Sequence, residues 1–122
     1  MAKAKPNALY TIGYEGRPPD DLMDALRCAG VRTLLDARIR PQSRKPGFSK
    51  RSLAKACEAA GLAYAHDRAL GTPVEMMQRI KASGKGYTTQ FREAFRKHLL
   101  KQTEALERAC ETASASPTCL LC

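Results

Sequence analysis

The chain has no tryptophan, three phenylalanines, four tyrosines and two histidines in 122 residues. That is aromatic-poor for a globular protein, so aliphatic side chains must fill most of any core. Acids are scarce too: 12 Asp+Glu stand against 21 Lys+Arg, and they are scattered, which argues against a two-metal site. No long apolar run occurs in the first thirty residues, so neither a secretory signal nor a membrane-spanning helix is expected there. A cytoplasmic location and no membrane partner follow as expectations. There is no internal repeat, and only residues 1–7 and an Ala/Ser/Pro stretch at 113–117 read as flexible.

The five cysteines are odd in number and cannot all pair. Most fall at apolar positions of expected elements, which suits reduced thiols. Cys119 and Cys122 have the spacing of a redox or zinc pair, yet they lie in a strand-like run rather than at a helix N-terminus. Residues three apart on a strand point to opposite faces, and no second Cys/His pair has zinc spacing. Core packing is the expectation for Cys119, while Cys122 would stand at a strand end. No metal and no cofactor is assigned.

What the chain does have is positive charge. A net charge of +9 and a pI near 9.6 point to acidic partners, namely nucleic acid, nucleotides or small oxyanions. The plain alternative is a basic, solvated surface. With 43% hydrophobic residues, the length suits one domain with its own core.

Hydrophobic periodicity divides the chain into strand–helix units. Strands are expected over 9–13, 31–36, 62–66 and 119–122, from short apolar, β-branched runs bounded by glycine. The first helix opens at Pro18-Pro19-Asp20-Asp21, with acids near its positive end, and closes at Gly30. A second runs from an N-cap at Ser49 to Gly61, with Phe48 and Leu53 at staple spacing. Thr72-Pro73-Val74-Glu75 reads as a capping box for a short helix ending near 82. One long helix is expected over 88–113, with Phe91, Phe95, Leu99, Leu106 and Cys110 inward. Alternating strands and helices predict a three-layer α/β fold: a mostly parallel sheet of about four strands with helices on both faces. In such folds ligands bind beyond the carboxyl ends of the strands.

The residues past those strand ends are therefore the candidates. Seven bases and no acid fall between 37 and 57: Arg38, Arg40, Arg44, Lys45, Lys50, Arg51 and Lys55. Lys50 and Arg51 sit in a helix's first turn, where positive charge is unfavourable by a few tenths to about 1 kcal/mol each. The placement makes sense if an anion docks there, held by backbone N–H groups, the dipole and the side chains together. Arg38, Arg40, Ser43, Arg44, Lys50 and Arg51 are the expected anion-binding set. The alternative is a solvated loop whose arginines pair with Glu15 or Asp36. Asp36 could orient an arginine, act as a base or receive loop hydrogen bonds. Glu15 and His66 complete the candidate acid/base groups. His98, within the long helix, reads as a surface or interfacial residue.

Tyr10-Thr-Ile-Gly-Tyr14, Leu35-Asp-Ala-Arg38, Pro41-Gln-Ser-Arg44, Gly47-Phe-Ser49, Gly61-Leu-Ala-Tyr64 and Leu70-Gly71 together resemble the microbial family called domain of unknown function 488. The resemblance implies an α/β fold and a site around Asp36, Arg38, Ser43 and Arg44. It implies no particular activity. Family members continue past the last strand with a cysteine, an acid and a Cys-His-Arg segment, so a chain stopping at Cys122 is expected to be truncated.

The leading expectation is a domain that binds a phosphate-bearing or other anionic ligand, a nucleotide or nucleic acid, with an enzyme acting on that ligand as one form of the reading. A different class is a nucleic-acid-binding module without chemistry, whose patch would include Lys3, Lys5, Lys81 and Lys85. A third is rhodanese-like sulfur or phosphoryl transfer, with Cys122 as nucleophile and Leu35-Asp-Ala-Arg38 as the strand-end signature. The sequence leaves the oligomeric state open.

Overall fold

A computed structural model of the chain describes residues 9–13, 16–41 and 46–122. The expected tail at 1–7 and the candidates Glu15, Ser43 and Arg44 lie outside the described residues. The elements run β1 (Leu9–Ile12), α1 (Pro19–Cys28), β2 (Thr33–Asp36), α2 (Lys50–Ala59), β3 (Ala63–His66), a 3-10 turn (Arg68–Leu70), α3 (Val74–Ser83), α4 (Thr89–Leu100), α5 (Thr103–Ala115) and β4 (Thr118–Leu121). The four strands pair in parallel in the order β1-β4-β2-β3. This is the three-layer α/β fold the periodicity predicts.

Local chemistry accounts for the pieces. Pro19 opens α1, where its missing N–H costs nothing, and Asp20 and Asp21 follow in the first turn. Leu22, Met23 and Leu26 then recur on one face and are buried. All four residues of β2 are buried, as an interior strand covered on both faces requires.

Successive residues of β2 serve opposite faces. Leu34 packs with α1 and α2 in a core that includes Leu26, Phe48, Leu53, Cys57, Cys119 and Leu121. Leu35 joins a smaller cluster with Ala37, Leu70 and Ala105 beneath α5. The topology explains the two layers. α1 and α2 carry the chain in one direction across the sheet, whereas α3–α5 carry it back, so right-handed crossovers put them on the other face.

Two local expectations are corrected. The single helix over 88–113 is two helices, because the chain turns at Lys101 and Gln102 before α5. Ala105 of α5 lies buried in the cluster under the sheet, whereas no residue of α4 is buried. A straight rod could not both cover the sheet and follow α3. The capping box at Thr72 does not form either: Pro73 is the N-cap of α3 and makes no side-chain cap bond. Thr88 is a true cap, its Oγ1 accepting the Phe91 N–H at 3.1 Å.

The cysteines follow the faces. Cys57 and Cys119 are buried, whereas Cys28, Cys122 and also Cys110, expected on an inward face, are exposed. Burial, with the Asp36 charge beside Cys57 and Cys122 beside Cys119, pushes both buried thiols up to about 11. At neutral pH neither forms the reactive thiolate. A thiol titration of the native protein should therefore count only the three exposed groups quickly, and all five in denaturant. Rapid reaction of all five without denaturant would contradict this packing.

Candidate functional site

Asp36 ends β2, and its register partner on β3 is His66. Beyond this point the chain leaves β2 for α2 on one face, and leaves β3 for the 3-10 turn and α3–α5 on the other. Adjacent strands whose continuations diverge leave a crevice at their carboxyl ends, the usual ligand position in open parallel sheets.

A buried ionic bracket builds one wall of that crevice. Asp36 Oδ1 accepts the Arg38 Nε–H at 2.8 Å and the Arg38 backbone N–H at 3.1 Å. Oδ2 accepts from Arg38 Nη2 at 2.7 Å and from the Tyr64 hydroxyl at 2.5 Å. Arg38 Nη1 reaches across to the Phe48 carbonyl at 2.7 Å, just ahead of α2. The Lys50 N–H donates to the Pro41 carbonyl at 2.7 Å, a second tie between the crevice loop and that helix. On the β3 side, His66 Nε2 lies 2.7 Å from the Arg38 carbonyl. A carbonyl can only accept, so Nε2 carries the proton and Nδ1 is the atom that could take another.

The electrostatics are those of an anchor. Burial acts to raise the Asp36 pKa, but hydrogen bonds from Arg38 and Tyr64, with the Arg38 charge, outweigh it and hold the carboxyl below its ordinary value. Burial, then the hydrogen bond and charge of Asp36, push the Tyr64 phenol up. Asp36 is fully buried, and both its oxygens are engaged. This suits the orienting role weighed for it better than proton transfer. Arg38, expected as an anion clamp, is buried and spends its fork on Asp36 and the Phe48 carbonyl.

Two glycines let this loop pack. A Cβ on Gly71 would lie 2.6 Å from the Ile39 nitrogen and 2.7 Å from the Ala37 oxygen, so only a bare Cα fits beneath the segment carrying Arg38. Gly47 has φ +88°, and a Cβ there would run into the Pro19 ring.

The remaining candidates fall into separate groups. Asp36, Arg38 and His66 share one network, while Arg40, Lys50 and Arg51 are exposed at its rim. The hydroxyl of Ser49, the N-cap of α2, donates to Ser52 Oγ rather than capping the helix, and the first turn contains no acid. Cys122 lies further along the edge: its N–H donates to the Ile12 carbonyl at 3.4 Å, over the β1–β4 half. Sequence reasoning gave no role to Tyr64, whose place two residues before His66 on the same strand face was the available signal.

On the other side of the crevice is a cavity of about 580 Å³, lined by Ile39, Asp67, Arg68, Gly71, His98 and Gln102 among others. Asp67 caps the 3-10 turn through the Ala69 N–H, 3.2 Å, and accepts from Arg108 Nε at 2.9 Å. The Arg108 hydrogen bond is the main cause holding its carboxyl low. Among the described residues, no three His, Cys, Asp or Glu side chains gather as a metal site would require, and no helix is long and apolar enough to cross a membrane.

Comparison with curated proteins and with solved structures gives no match. The family model for the domain of unknown function DUF488 matches residues 18–122, a span that begins just before α1 and takes in the whole bracket, and the chain therefore belongs to that family.

Proposed function

We propose that the rim of the β2–β3 crevice binds a phosphate-bearing ligand, a nucleotide or a nucleic acid strand. One observation carries the reading: α2 begins at the crevice with Lys50 and Arg51 exposed and no acid in its first turn. Two cations beside the positive end of a helix repel it locally, and an anion seated there reverses the sign of both interactions. The bracket supports the reading by fixing that helix start to β2 through the Phe48 carbonyl. Arg40 adds an exposed guanidinium on the connecting loop.

Binding without chemistry is the second form of this reading. It is favoured by the state of Asp36, whose oxygens are taken, which leaves His66 as the one described residue of the expected acid/base set still available for proton transfer. The test is a titration with a labelled single-stranded oligonucleotide and with a mononucleotide at several salt concentrations. Changing Lys50 and Arg51 together to alanine should weaken binding about tenfold and flatten the salt dependence by roughly one to two units of slope. Both side chains are exposed, so the fold should be unaffected. Unchanged affinity in the folded double variant would sink the proposal.

A further inference from the structure

The α3–α4 hairpin is a second basic stretch of the chain, after 37–57. Between Val74 and Lys101 there are seven Lys or Arg and two acids, Glu75 and Glu93. The described salt bridges are Asp24–Arg27, Asp36–Arg38 and Asp67–Arg108, so among the described residues none of these seven cations is paired. Neither α3 nor α4 has a buried residue.

Along α4 runs a ladder of rings. Tyr87 and Phe91 have centroids 5.4 Å apart, Phe91 and Phe95 are stacked at 6.2 Å, and Phe95 and His98 stand at 6.4 Å. The outermost ring, Tyr87, is 63% exposed, whereas Phe91, Phe95 and His98 are half-buried along the covered face of α4. The innermost, His98, lines the cavity that also touches Ile39 and Arg68 at the crevice. The ladder thus leads from the tip of the hairpin to the cavity on the α3–α5 side of the crevice. Lys85, Arg92, Arg96, Lys97 and Lys101 are exposed along the same stretch.

We infer that the hairpin is a stacking platform for single-stranded nucleic acid, with Tyr87, braced by the ring ladder behind it, as the face offered to a base. The inference rests on the phosphate-ligand reading and names its ligand class. Its chemistry is the standard one: unpaired cations follow the backbone, while aromatic faces take unpaired bases of any sequence. Charge argues against a second copy of the chain as occupant, because two such surfaces would repel. Duplex is disfavoured because its bases are already stacked and paired. The rings distinguish a base-bearing strand from an acidic peptide.

The test uses the full chain and a short labelled oligothymidylate. Tyr87→Ala should weaken binding about tenfold, whereas Tyr87→Phe, which keeps the ring, should stay close to the parent. Phe91→Ala should act in the same direction, and Tyr87, being exposed, covers the case in which loss of Phe91 disturbs the hairpin. Neither Tyr87 variant should alter mononucleotide binding at the crevice, which the Lys50/Arg51 double variant reports separately. Loss of oligonucleotide affinity in Tyr87→Ala alone, with the double variant inert, upholds the platform and removes the crevice site. Loss in the double variant with Tyr87→Ala inert overturns the platform and leaves the crevice site standing. Duplex bound as tightly as single strand, or displacement by polyglutamate as effective as by oligothymidylate, also overturns it.

Discussion

Asp36→Asn should lower the unfolding free energy by about 3–5 kcal/mol, the range for breaking a buried ion pair from one side. The substitution keeps the side-chain shape but leaves the Arg38 guanidinium without its counter-charge at a site 9% exposed. For a domain of this size the loss is a large share of the whole stability. Urea unfolding followed by circular dichroism would show it as a lower midpoint. Changing both partners to apolar residues, Asp36→Leu with Arg38→Met, should recover much of the loss. Recovery would stay incomplete, since the Phe48 carbonyl loses its Arg38 donor.

The same pair sets an acid limit. Asp36 has a folded pKa below its ordinary 3.8, so its contribution is fully present above the unfolded value. It is lost as pH falls through the folded value. Asp36→Asn should flatten that acid limb in part, because Asp67, also held low, supplies another share. A variant as stable as the parent at neutral pH would mean that the bracket does not hold the loop.

Gly71→Ala should destabilise by about 1–3 kcal/mol, the cost of overpacking a filled site. Backbone preference alone predicts the opposite sign. Gly71 has φ −82° and ψ 163°, which alanine adopts freely, and removing a glycine at such a position usually stabilises by about 0.4–1 kcal/mol. The clash decides. The atoms in the way are the Ile39 nitrogen, the Ala37 oxygen and the Ile39 Cα at 2.9 Å, all backbone, so no rotamer can relieve it. Relief requires moving the segment that carries Arg38, and ligand affinity at the crevice should fall together with stability. Gly13→Ala is the control: an added Cβ there meets nothing within 4 Å, and its melting temperature should hold or rise slightly.

The sequence reveals elements wherever a signal is local. Thr33–Asp36 is a short apolar run after a glycine, and Asp20 and Asp21 mark a helix start by their charge. The break between α4 and α5 is not legible, because Lys101 and Gln102 are good helix formers and the reason for turning lies in the distant sheet. The 3-10 turn had a local sign, Asp67 as a cap for Ala69 N–H, but a single cap is a weak signal. In the site, strand-end logic brings Asp36, Arg38 and His66 together correctly. What it cannot supply is how the hydrogen bonds are shared. Whether Arg38 points at a ligand or at Asp36 depends on the Phe48 carbonyl, in the loop ahead of α2, and on Tyr64, on the neighbouring strand. The ring ladder is visible in the spacing of Phe91 and Phe95, which predicts the face of α4 on which its half-buried residues fall.

The strand order has a consequence for how the chain assembles. β1 and β2 are successive strands that never pair; β4 lies between them and bonds to both, with Leu9 opposite Thr118 and Thr33 opposite Thr118. As the polypeptide is synthesised, β2 and β3 can zip together early, but β1 must wait for nearly the whole described chain before it finds a partner. Until then the inner edge of β2 stands open, with Leu34 and Leu35 beside unpaired backbone groups. Insertion of β4 closes both ladders in one step and brings Cys119 and Leu121 into the larger core. A sheet completed at its centre rather than its rim concentrates the non-local part of folding in one late event, the kind that makes parallel folds slow and vulnerable to aggregation on the way.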